Sequence, residues 1–413
     1  MEEWKQYRLG DIISISSGLA YKGEHLGKGD SFLLGMGCVS YTEQFLEKGM
    51  RKYDGAYDER YSLKAGDIVL ATRQQSDNLP ILGMPAIIPQ KFHNQKMVFG
   101  TNLYKVNLNS PDFSNSFLYW LLKTPNYIHH IKSCQTGTTV RMITKANIED
   151  YTFFCPEKSE REKICKFLWN IENKIALNRR INDNLEQQAQ ALFKSWFVDF
   201  EPFKDGKFVD SEMGMIPEGW KVVQLGEIIE ISKRIINPQK NPDKIFYHYS
   251  LPACDNGLIP EIQSGKDIMS NKIILQNNTI LFSKLNPRIK RIWFACDVLN
   301  DSICSTEFIP YRAKNERESV YIYSIINSDS FYASVLGCVN GATGSHQRFH
   351  AEDTLGLLFP YKKDIVDKYI DLVKPVLAEI HKLRIENKTL ALTRDSLLPR
   401  LMSGELKFND LNN

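Results

Sequence analysis

Between Ile268 and Cys296 the chain carries five cationic side chains, Lys272, Lys284, Arg288, Lys290 and Arg291, and no aspartate or glutamate. Four of them crowd into Ser283-Lys284-Leu285-Asn286-Pro287-Arg288-Ile289-Lys290-Arg291, directly after an apolar run, and the Asn-Pro pair there marks a loop. Compact ammonium groups in such a loop neutralise phosphates and so position a protein on a polyanionic backbone. The forked donors of Arg288 and the amide of Asn286 match the edges of bases instead. Ordinary solvated surface is the competing reading for any single polar loop. A second copy of the pattern at an equivalent place would weigh against it.

The chain supplies that copy. Trp4-Lys5, Leu9-Gly10-Asp11-Ile12-Ile13 and Ile15-Ser16 return with the same spacing as Trp220-Lys221, Leu225-Gly226-Glu227-Ile228-Ile229 and Ile231-Ser232. Leu63 to Ala71 is echoed by Leu275 to Ser283, each a turn leading into an apolar strand. Directly after Ala71 comes Thr72-Arg73-Gln74-Gln75-Ser76-Asp77-Asn78, poorer in charge but rich in amides of the kind that pair with adenine. Later, Thr136-Gly137-Thr138-Thr139-Val140-Arg141 matches Thr343-Gly344-Ser345-His346-Gln347-Arg348, small hydroxyls with an arginine suited to phosphate and base contacts. The candidate binding residues are therefore Arg73, Gln74, Gln75, Thr138, Thr139 and Arg141 in one copy. In the other they are Lys284, Asn286, Arg288, Lys290, Arg291, Ser345, His346, Gln347 and Arg348. Lys284, Lys290 and Arg291 are assigned to phosphates, and Arg288, Asn286 and Gln347 to bases.

The elements that must hold these loops are short β-like runs punctuated by Gly, Asn, Asp and Pro, with one helical stretch per copy, Ser114 to Ile131 and Arg317 to Leu336. Each copy ends in an apolar strand closed by proline, at Phe153-Phe154-Cys155-Pro156 and Leu357-Leu358-Phe359-Pro360, and a long helix comes next. In the first helix Ile164, Leu168, Ile171, Ile175, Asn178, Asn182, Leu185, Ala189, Leu192 and Trp196 recur at heptad spacing. In the second the seam is Val366, Tyr369, Val373, Val376, Ile380, Leu383, Asn387, Leu390, Arg394, Leu397 and Leu401. Central asparagines cost stability and fix register, so the two helices are expected to pair, antiparallel. Pro375 predicts a kink or a helix start. The expected organisation is α+β: residues 1–156 a first domain, 157–198 a central helix, 199–216 a packed linker, 217–360 a second domain and 361–403 a C-terminal helix. Phe193, Trp196, Phe197 and Phe200 form the most concentrated aromatic patch, a candidate partner-docking surface; stapling the linker to the helix is its rival role.

Enzymatic motifs fail one by one. Gly23 to Gly29 is too short for a phosphate loop and lacks Ser/Thr after Lys28. Asp30 to Gly37 only faintly matches a methyltransferase glycine loop, and no Asn-Pro-Pro-aromatic tetrapeptide exists. No Pro-Asp is followed at a suitable distance by the Glu-x-Lys that would gather magnesium-binding carboxylates in a nuclease. His346 and His350 lack the acid and third ligand of a zinc site. The eight cysteines form no CxxC pair, which suggests reduced, mostly buried thiols and no metal centre. With 413 residues, 43% hydrophobic and 24% charged, the chain has room for two ordinary domains. The +3 net charge is too small to name a partner. An acidic N-terminus and the lack of a long apolar stretch predict no membrane segment and a cytoplasmic location.

Taken in order, these segments resemble the specificity subunit of type I restriction-modification systems over essentially the whole chain. Trp-Lys-x-x-x-Leu-Gly-[Asp/Glu]-Ile opens each half, Thr-Gly-[Thr/Ser]-x-x-Arg comes late in each, and Ile216-Pro217-Glu218-Gly219-Trp220 precedes the second. The resemblance implies two target recognition domains separated by an antiparallel two-helix coiled coil with pseudo-twofold symmetry, each domain reading one half of a bipartite asymmetric double-stranded DNA site. It implies a subunit without catalytic residues or cofactors of its own, bound to two methylation subunits that use S-adenosylmethionine for adenine-N6 methylation. Restriction subunits, with ATP and Mg, are a further implied partner. The alternatives are a self-sufficient methyltransferase or nuclease with unrecognised motifs, and a protein-binding scaffold.

Overall fold

A computed structural model describes residues 4–75, 80–338 and 347–408. Its contacts divide the chain into two compact units, Met1–Asn173 with Leu390–Asn413, and Lys174–Thr389. The two unit boundaries fall within the long helices, Lys158–Phe197 and Lys363–Ser403, each assigned as one continuous helix.

In the first unit a four-stranded antiparallel sheet runs in the order Ile13–Ser17, Leu103–Leu108, Ile68–Ala71, Pro85–Ile87. A second four-stranded sheet orders Met50–Tyr53, Leu26–Leu34, Lys96–Phe99 and Ser62–Leu63. Strand alternation explains the uninterrupted apolar run at Ile68–Ala71: Ile68 and Leu70 join the core under the helices, while Val69 and Ala71 join a second core. Lys5–Arg8 pairs antiparallel with Thr152–Cys155, so the opening and closing motifs of the copy meet.

The second unit repeats this plan. Its antiparallel sheet orders Ile229–Ile231, Phe308–Ala313, Thr279–Ser283, Ile292–Ala295. Ile280 and Phe282 face one core and Leu281 the other. The companion sheet has five strands, and Lys221–Gln224 pairs with Leu358–Tyr361 as the closing ribbon. The echoed sequences Leu63 to Ala71 and Leu275 to Ser283 thus lead into strands at the same sheet position.

The single helical stretch predicted in each copy is two helices, Asn115–Leu121 with Pro125–Cys134, and Ser319–Asn327 with Asp329–Gly337. Pro125 at the first helical position follows Thr124, whose hydroxyl accepts the Tyr127 N–H; Ser328 caps the second pair by accepting from Phe331. A cap in mid-pattern starts a new helix without interrupting the apolar period.

The long helices pair antiparallel in each unit. In the first, Glu172 meets Arg394 in a buried ion pair, and Glu160 accepts from the backbone of Phe408. In the second, Asn178 Nδ2 donates to Asn387 Oδ1 and Glu386 Oε2, both at 2.9 Å, and Glu186 pairs with Arg384. The seam departs from prediction near the end of the first helix, where Phe193 and Phe197 are buried and Leu192 and Trp196 only half-buried. The helix there turns towards the domain core. Pro375 does not start the second helix, which runs through it from Lys363. The linker holds a short strand pair, Phe208–Val209 with Ile216–Pro217. Among the described residues no helix is long and apolar enough to cross a membrane.

Candidate nucleic-acid interface

The separate polar motifs of each copy come together in space. In the first unit, Arg73–Gln74 pairs antiparallel with Arg141–Met142, Arg141 opposite Gln74 and Met142 opposite Arg73. Thr136 closes the ribbon by exchanging backbone hydrogen bonds of 3.0 and 2.8 Å with Met142. The turn between them needs Gly137, whose φ is +89° and where a Cβ would lie 2.2 Å from the Val140 carbonyl oxygen. That turn leaves Thr138 and Thr139 exposed.

In the second unit the loop after Ser283 meets the segment at Gln347 by the same device. Leu285 bridges Arg348, and the Asn286 N–H donates to the Gln347 carbonyl at 2.9 Å. Asn286 takes a left-handed φ of +48°, a conformation asparagine tolerates better than most residues, and its carbonyl accepts from Ile289. The reversal puts Arg288 at an exposed tip. Among the described residues the side chains of Arg288, Lys284 and Arg73 have no hydrogen-bond or ion-pair partner. Arg141 is half-buried and engaged.

Several predicted readers are used internally, which corrects the sequence assignment. Gln74 is buried, and its Oε1 accepts the Leu82 N–H at 3.2 Å, so Gln75, exposed, is the amide left to face outward. Lys290 folds its Nζ onto the Asn327 carbonyl at 2.7 Å, at a helix C-terminus, and over the Tyr332 ring. Burial pulls that ammonium below its ordinary range, with Asp329 opposing the shift. Arg291 makes a two-pronged pair with Asp255, at 2.6 and 2.9 Å, and Arg348 holds Glu307 at 3.2 and 3.0 Å. These cations brace the loop. Gln347 is half-buried, with its Oε1 buried and unpartnered among the described residues. Ser76 to Asn78, Ser345 and His346 lie outside the described residues.

Asp255 and Glu307, the carboxylates that claim Arg291 and Arg348, escaped sequence reasoning because both lie outside the acid-free window. Only the fold brings them back.

The aromatic patch also needs correction. Phe193 and Phe197 are buried, with Phe197 ring centroids 4.9 Å from Tyr321, 5.2 Å from Tyr369 and 5.7 Å from Trp220. Phe200 packs on Trp220 at 5.4 Å, and Trp196 on Tyr369 at 6.2 Å. The stapling role describes them: the patch joins helix, linker and domain within one unit. Exposed apolar residues on the long helices are instead Leu177, Ile181 and Ile385, among others.

Residues 1–187, the first domain and most of the long helix after it, match the family model of the type I restriction modification DNA specificity domain. The chain is similar to type I restriction-modification specificity subunits. The type I restriction enzyme MjaIX specificity subunit of Methanocaldococcus jannaschii is 23% identical over 432 aligned positions, covering 99% of this chain and 95% of that one. The HindI specificity subunit of Haemophilus influenzae is 30% identical over 208, covering 49% of this chain and 43% of its own length. The crystal structure of the type I S subunit from M. genitalium shares the fold at a TM-score of 0.54 and 15% identity, over 97% of this chain and 96% of that one.

Proposed function

We propose that this specificity subunit reads a bipartite double-stranded DNA site, one half through each unit's ribbon, and carries no catalysis of its own. The observation that carries this is the recurrence, at one sheet position in both units, of a polar loop paired with the Thr-Gly-[Thr/Ser]-x-x-Arg segment. A scaffold for protein alone has no use for an acid-free loop that presents unpaired guanidinium and ammonium groups, as the one carrying Lys284 and Arg288 does. In the first unit Arg73, Gln75, Thr138 and Thr139 are the outward candidates, with Arg141 beside them. In the second they are Lys284 and Arg288, with Asn286 shaping the turn and Gln347 beneath it. Lys284 serves phosphate; Arg288, with its planar fork, suits a guanine edge.

On this reading the methyl transfer belongs to two methylation subunits that bind S-adenosylmethionine, and any cleavage to restriction subunits using ATP and Mg. The antiparallel helices set the gap between half-sites, and their exposed Leu177, Ile181 and Ile385 are the better docking candidates for methylation subunits, given that the aromatic patch is internal. The test is reconstitution. The purified chain alone should transfer no methyl groups, and adding methylation subunits should confer adenine methylation at one bipartite sequence. Methyl transfer by the chain alone would overturn the assignment.

A further inference from the structure

Cys296, Asp297 and His381 bring a thiol, a carboxylate and an imidazole together, their ligand atoms all within 4.8 Å of one another. Cys296 and Asp297 come directly after the strand Ile292–Ala295, and Asp297 adopts a left-handed φ of +55°. Aspartate is among the few residues besides glycine that adopt this conformation readily, and here it turns the chain at the end of the strand. His381 lies on the C-terminal long helix in the same unit, its Nε2 4.0 Å from Asp297 Oδ2. The three line a groove of about 780 Å³ walled also by Phe294, Leu377 and Ile385.

From this geometry we infer that Cys296, Asp297 and His381 form a binding site for a zinc-class divalent cation. The donor set is the argument. Hard ions such as calcium and magnesium take oxygen donors, while one sulfur, one nitrogen and one carboxylate oxygen make a borderline set that suits zinc. Three protein ligands leave a fourth tetrahedral position for water. With bonds of about 2.1 Å, tetrahedral donors lie about 3.4 Å apart, so the imidazole and carboxylate, 4.0 Å apart, need to close by less than about 1 Å. The Cys296 thiol, pushed up to about 11 by burial, would give its proton to solvent as the sulfur–metal bond forms. Burial also holds the His381 imidazole below its ordinary range, which favours the neutral ligand form. Arg384 acts on both groups, but its charge is countered by its ion pair with Glu186.

The ion would tie two elements within this unit. Ile292–Ala295 is the return strand of the loop carrying Arg288, and His381 belongs to the long helix. A metal there would clamp the reading loop's hairpin to the helix, a role beyond DNA reading itself and independent of it.

The test uses the full chain, with no affinity tag, stripped by chelator and dialysed against zinc or cobalt(II). Wild type should bind one zinc per chain by elemental analysis, and the cobalt form should show a thiolate charge-transfer band. Cys296→Ser should lose the band and His381→Gln should weaken zinc binding roughly tenfold or more, while Cys338→Ser changes neither. Zinc should raise the melting temperature of wild type and not of Cys296→Ser, and the two should melt alike in chelator, which reads the fold separately. Failure of wild type to take up zinc, or an unchanged cobalt band in Cys296→Ser, would overturn the site. If Cys296→Ser does not fold, full zinc affinity in His381→Gln overturns it alone.

Discussion

Arg288 and Lys290 stand two positions apart in one loop, and their surroundings give them opposite work. Arg288 is exposed with an unpartnered fork, so Arg288→Ala should cost about 1–3 kcal/mol on the cognate half-site and little on unrelated DNA. Lys290 is spent on the Asn327 carbonyl. Lys290→Ala should therefore leave the salt dependence of binding unchanged and lower stability by about 0.5–1.5 kcal/mol, the worth of one hydrogen bond. Isotherms at several salt concentrations, on duplexes altered in one half-site at a time, check the first; urea denaturation checks the second. A shallower salt slope for Lys290→Ala would return it to the phosphate contacts. Charge and loop position were legible in the sequence, but the partners that decide each cation's role were not. Gln74 and Gln75 are identical in type, and only strand alternation and the Leu82 amide separate the buried one from the exposed one.

At the scale of elements, heptad spacing revealed the long helices and their antiparallel pairing, because a seam of Ile and Leu with Asn178 and Asn387 at its centre has few other ways to be buried. Spacing could not reveal where a helix leaves its partner for a domain core. That is why Phe193 and Phe197 read as a docking patch. Phe197→Ala should destabilise the second unit by about 3–5 kcal/mol, as for any large buried aromatic, with partner binding lost only in proportion to unfolding. In the first unit Glu172→Gln would leave Arg394 buried with only the exposed Asp395 as counter-ion. Breaking a buried pair costs about 3–5 kcal/mol, and Asp395 places this one towards the lower end. Differential scanning of each variant measures both; a loss under about 1 kcal/mol would show that the helix end relaxes around the change.

The whole molecule is a repeated unit joined by continuous helices. If the helices set the gap between half-sites, inserting four residues into both, about 6 Å of helix, should lengthen the unread gap by one to two base pairs, since DNA rises about 3.4 Å per pair. An unchanged gap in a folded insertion variant would remove the helices' measuring role without touching the reading role. The reading role itself is tested most directly by sequencing the duplexes that the chain, assembled with the proposed methylation subunits, enriches from a randomised pool. Two short conserved blocks at a fixed separation are expected, with Arg288→Ala relaxing one block and leaving the other intact. A single contiguous block, or both blocks relaxed together by that one substitution, would contradict half-site reading by separate domains.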